Sequence, residues 1–213
     1  ASAALKIVAD RTDVPPASLY EDQPLLPAGG FGYITTRDGT KLSAFITLPG
    51  PVEKGPYPTI VDYSGYSPSK PGEPIGEYKF LCGDLPVLCD APNDPSALIA
   101  ALMGYATVSV NMRGTGCSGG SYDYFEELQL LDGYDVIETV AAQSWVTGHR
   151  VGMTGISYPG ISQLFVARTH PPSLAAITPI SVIGNTFSTG RPGGIFNDGF
   201  ELGNSNEWSA TVP

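Results

Sequence analysis

From residue 57 onward the chain alternates strand-like and helix-like stretches, and that alternation restricts it to a parallel sheet covered by helices. Thr59 to Tyr63 reads as a short buried strand. Pro95 to Met103 reads as a helix, with Asp94 as its N-cap and Pro95 at the first helical position. Ala106 to Met112 is the next strand. Glu126 to Ser144 carries Leu128, Leu131, Tyr134, Val136, Ile137 and Val140 at helical spacing. Arg150 to Thr154 is a strand, Gly160 to Thr169 a helix, and Ala175 to Val182 a last strand. Ahead of this series, Tyr33 to Arg37 and Lys41 to Leu48 flank Asp38-Gly39, a hairpin signal. Residues 1–29 read as an extended arm and residues 64–94 as a long loop; after Gly184 the periodicity ends.

The net charge of −10 argues against a nucleic-acid surface and an anionic membrane. The longest apolar-leaning run, Ala97 to Val110, contains Gly104, Thr107 and Ser109 and is too short to span a bilayer. Two histidines and three cysteines, without ligand spacing, give no metal site. Cys82 and Cys89 bracket a short loop and could close as a disulfide, or remain two thiols. The disulfide would favour an extracellular or cell-envelope location over the cytoplasm. Cys117 has no evident partner.

The most informative turn is Gly155-Ile156-Ser157-Tyr158-Pro159-Gly160, between the strand ending at Thr154 and the following helix. A serine here must sit on a sharp reversal, and small residues on both sides let strand and helix pack closely. At a helix N-terminus, backbone N–H groups and the helix dipole favour a developing oxyanion. Ser157 is therefore the candidate nucleophile, with the Tyr158 amide as first oxyanion donor. Pro159 has no N–H, which a first helical turn tolerates.

Residues 151–160 resemble the G-x-S-Y-x-G elbow of the cocaine-esterase and X-Pro dipeptidyl-peptidase type hydrolases. Asn111-Met112-Arg113-Gly114-Thr115-Gly116-Cys117-Ser118-Gly119-Gly120 resembles that family's R-G-x-G-x-S-x-G loop, with Asn111 where Asp is frequent. Arg37-Asp38-Gly39-Thr40-Lys41-Leu42 resembles its first hairpin, and Trp145 precedes the elbow strand as in the family. The resemblance covers roughly residues 30 to 200 and implies an α/β-hydrolase fold: a mostly parallel sheet with helices on both faces, preceded by a β-hairpin. It also implies a tyrosine hydroxyl as second oxyanion donor. Tyr66 fits by register, with Tyr63 as the alternative. Arg113 is expected to brace its own loop.

A serine nucleophile needs a base within hydrogen-bond reach. His149 lies roughly 20–26 Å from Ser157 at about 3.3 Å per strand residue. His170 lies roughly 15–20 Å away at about 1.5 Å per helical residue. Neither reaches. In the family the order is Ser, Asp, His, with a helical cap after the serine and a β-sandwich domain following. Residues 30–184 therefore read as the N-terminal part of a catalytic domain and residues 185–213 as the start of a cap. The triad Asp and His are expected from a C-terminal remainder, in a second chain or a further segment. The function expected is serine hydrolysis of an ester or amide through an acyl-enzyme, with a small-molecule or peptide acyl substrate and no cofactor. The rival readings are a catalytically silent fragment serving as a binding module, and a nucleotide-binding domain. The second has neither a P-loop lysine nor a complete dinucleotide fingerprint.

Overall fold

The computed structural model describes residues 15–21, 23, 29–66, 68–69, 92, 94–124 and 126–182. Strands β1 (Gly30–Thr35) and β2 (Lys41–Thr47) form the hairpin, with Thr35 opposite Lys41. The first strand stops two residues short of Arg37. Arg37 has left the ladder: its backbone N–H and guanidinium both bind the Asp135 carboxylate, at 2.8 Å each for the backbone and Nη2 contacts. Asp38 then organises the turn, accepting from the Thr36 hydroxyl at 2.7 Å and the Thr40 N–H at 2.9 Å.

Next follow β3 (Tyr57–Ser64), α2 (Pro95–Leu102), β4 (Ala106–Asn111), α3 (Glu127–Ala141), β5 (Val146–Ile156), α4 (Tyr158–Arg168) and β6 (Leu174–Ile180). The six strands form one sheet in the order β1-β2-β4-β3-β5-β6. β2 is antiparallel to β4; the β4–β3, β3–β5 and β5–β6 pairs are parallel. This is the mixed, mostly parallel sheet expected from the alternation.

Helices lie on both faces. The Tyr63 hydroxyl reaches the Gln129 carbonyl of α3, and the Ser162 hydroxyl of α4 reaches the Tyr63 carbonyl. Ile60, of opposite parity on the strand, lines a groove with Ser96, Ile99 and Ala100 of α2. The core between α3, α4 and the sheet contains Tyr63, Val136, Ile137, Phe165 and Val166, all buried. Asp94 caps α2 through the Ser96 and Ala97 N–H groups at 2.8 and 3.2 Å.

Two elements differ from the sequence pattern. β5 begins four residues before Arg150, but Gly148 and His149 have φ of +61° and +52° and the register with β3 jumps there, so periodicity is lost across the bend. The stretch read as an extended arm includes a helical turn, α1 (Ser18–Glu21). Tyr20 of this turn is buried and donates its hydroxyl to Asp135 at 2.7 Å. Cys82, Cys89 and residues 185–213 lie outside the described residues; Cys117 is an exposed free thiol. No helix among the described residues is long and apolar enough to cross a membrane.

Candidate active site

Ser157 sits between the last residue of β5 and the first residue of α4, at the N-cap, with φ +65° and ψ −117°. A positive φ is costly for a non-glycine residue and persists only when its surroundings fix it. Two glycines allow the reversal. A Cβ at Gly155 would lie 2.3 Å from the Pro159 ring, and one at Gly160 would lie 2.5 Å from the Ile180 carbonyl oxygen. Two backbone bonds then hold the turn: Ser157 N–H to Ile180 O and Ile161 N–H to Ser157 O, each 2.9 Å. The Ser157 side chain is exposed, whereas Ser162, one turn into α4, is buried.

Tyr158 opens α4, where a helix makes no internal use of the amide N–H and its dipole is positive. Its ring is buried, and its hydroxyl lies 3.1 Å from Met112 Sδ and 3.2 Å from the Tyr122 hydroxyl. Burial, then the bond with Tyr122, holds this phenol far above its ordinary range, so it stays protonated.

The two tyrosines considered as the second donor stand in different surroundings, one within β3 and one beyond its end. Tyr63 is buried under α3 and its hydroxyl is given to Gln129 O at 2.9 Å. Tyr66 is two-thirds exposed, lies just beyond β3, and packs its ring 5.4 Å from that of Tyr158. Its N–H is turned back onto Ser64 Oγ at 2.9 Å.

Neither histidine approaches this turn. His149 is exposed in the bend at the start of β5, with Nδ1 2.9 Å from the Ala141 carbonyl at the end of α3. His170 is exposed beyond the far end of α4, its N–H on Ala167 O.

The loop after β4 is held by an ionic frame. Arg113 binds Asp132 through Nε at 2.7 Å and Nη2 at 2.6 Å, and Asp38 through Nη1 and Nη2 at 3.0 Å. It thus braces its own loop, but against α3 and the hairpin together. Burial pushes Asp132 up to about 6 although Arg113 pulls it down. Burial also raises Asp38, but its bonds to Thr36 and Thr40 and the Arg113 charge outweigh this and leave it at about 2. Asn111 ties the same loop to the β3 exit: its Oδ1 accepts from the Ser69 N–H and hydroxyl, and its Nδ2 donates to Thr115. The amide has a use for its N–H that the more frequent aspartate would lack.

Sequence reasoning did not single out Asp132, Asp135, Tyr122 or Tyr124. Asp132 could have been found: it shares its helical stripe with Val136 and Val140, and a carboxylate inside an apolar stripe requires a cation. The two tyrosines follow a glycine-rich loop without periodicity.

Residues 38–210 match the X-Pro dipeptidyl-peptidase (S15) family. A Mycobacterium bovis protein that carries the name of a serine esterase is 28% identical over 167 residues, covering 76% of this chain and 26% of its own length. The crystal structure of a CocE/NonD family hydrolase from Staphylococcus aureus is 28% identical, with a TM-score of 0.56, covering 70% of this chain and 26% of that one. An α-amino acid ester hydrolase shares the fold at 22% identity and a TM-score of 0.57, over 84% of this chain and 28% of that one. The chain thus spans about a quarter of the length of these relatives. With the elbow, the sheet order and the match over residues 38–210 together, this chain belongs to the X-Pro dipeptidyl-peptidase (S15) family of serine hydrolases.

Proposed function

We propose that Ser157 is the nucleophile of an enzyme that hydrolyses an ester or amide. The observation that carries this is an exposed serine held at positive φ on the N-terminus of α4. Ser157 Oγ attacks the substrate carbonyl carbon while its proton passes to a histidine. The oxyanion is held by the Tyr158 amide and the Tyr66 hydroxyl. The alcohol or amine leaves with the proton, and water hydrolyses the acyl-enzyme. Tyr66 is preferred over Tyr63 because the Tyr63 hydroxyl is already bonded in the core.

The histidine and its aspartate come from polypeptide outside these 213 residues, contiguous or in a second chain. The positions of His149 and His170 support this, as does the greater length of the relatives. The substrate is an acyl ester, acyl amide or short peptide. A fluorophosphonate probe tests the assignment. The complete enzyme and Ser162→Ala become labelled, and Ser157→Ala does not; labelling that survives in Ser157→Ala overturns it.

A further inference from the structure

We infer that Tyr122 is a positioning residue: through the Tyr158 side chain it fixes the Tyr66 hydroxyl over Ser157. This rests on the nucleophile and oxyanion assignment proposed above.

Tyr66 is poorly held for an oxyanion donor. It is 67% exposed, and its ring contact is with Tyr158 at 5.4 Å and a 43° tilt. A donor contributes most when it is already oriented before charge develops. The rigidity must therefore come from what Tyr66 leans on. Tyr158 supplies it, because it is 6% exposed and meets both the β3 exit and the loop after β4.

The β3 exit is seated on that ring: a Cβ at Gly65 would lie 3.3 Å from Tyr158 Cε1 and 3.6 Å from Tyr122 Cε2. On the loop after β4, the Tyr124 ring lies 5.9 Å from Tyr158.

The hydroxyls join the three side chains. Tyr158 has one hydroxyl proton, and the Met112 thioether can only accept. The Tyr158 hydroxyl lies 3.1 Å from Met112 Sδ and 3.2 Å from the Tyr122 hydroxyl, so both neighbours hold it at its tip. The contacts with Tyr122 and Met112 fix the Tyr158 ring plane from one end, and the ring plane fixes the wall against which Tyr66 stands. Without the Tyr122 hydroxyl the Tyr158 ring can rock, and the Tyr66 hydroxyl loses its aim at the oxyanion while substrate binding elsewhere is untouched.

A mutant cycle in the complete enzyme, read with a p-nitrophenyl ester, tests this. Y122F lowers kcat about 3- to 10-fold and leaves KM within about 2-fold. In a Y66F background the same substitution has no further effect, because the group it positions is gone. Y158F gives a loss like that of Y122F, and the Y122F/Y158F double variant is no worse than either single variant. An unchanged kcat in Y122F, or the same fold-loss with and without the Tyr66 hydroxyl, overturns the inference. If Ser157 is still labelled by the probe in such a result, only the Tyr122 link fails. If Ser157→Ala retains turnover, the nucleophile assignment fails and the link with it.

Discussion

Tyr63 and Tyr66 are three residues apart, yet they face different environments, and substitution should separate them. Removing the Tyr66 hydroxyl deletes one proposed oxyanion donor. Tyr66→Phe should lower kcat about 100-fold, with little change in thermal stability. Removing the Tyr63 hydroxyl leaves the Gln129 carbonyl without that donor in the core. Tyr63→Phe should cost about 1 kcal/mol in urea unfolding and leave kcat within a few-fold. The reverse pattern would make Tyr63 the functional residue. Sequence register alone favoured Tyr66 but could not separate the pair, because the side-chain alternation that buries Tyr63 continues only to the strand end at Ser64.

At the scale of elements, the site depends on three segments locked by arginines. Arg113 joins the β4 exit loop to α3 and to the hairpin turn, and Arg37 joins the hairpin to α3 through Asp135. Arg113→Met leaves the buried Asp132 carboxylate without its cation, so it should destabilise the fold by about 3–5 kcal/mol in chemical unfolding. A loss below about 1 kcal/mol would show that the frame is incidental. The Asp38 carboxyl lies below its ordinary 3.8, at about 2. Its contribution is therefore complete above pH 3.8 and is lost as the pH falls toward 2. Wild type should lose more stability than Asp38→Asn across that window; parallel pH profiles would contradict this. The elements themselves were largely legible. The Asp94 cap, the Asp-Gly turn and the apolar spacing of α3 are local signals with local causes. The Arg37 partner was not, since Arg37 and Asp135 lie 98 residues apart and neither marks the other in sequence.

For the whole molecule, the sheet order, the elbow and the family match agree, and each histidine stands at the end of its element away from Ser157. His149 is tied to the end of α3 and His170 stands beyond α4. What stayed illegible has a physical reason: the β5 bend at Gly148 and His149 interrupts strand periodicity, and the Tyr122–Tyr158 bond joins a loop to a helix. The proposal makes Ser157 the site of covalent chemistry. The most direct measurement is acid-quenched turnover of the complete enzyme with a p-nitrophenyl ester, followed by peptide mass mapping. The acyl group should be found on Ser157, in the peptide that runs from β5 into α4. An acyl group on any other residue, or burst release of nitrophenol with Ser157 unmodified, would contradict the account.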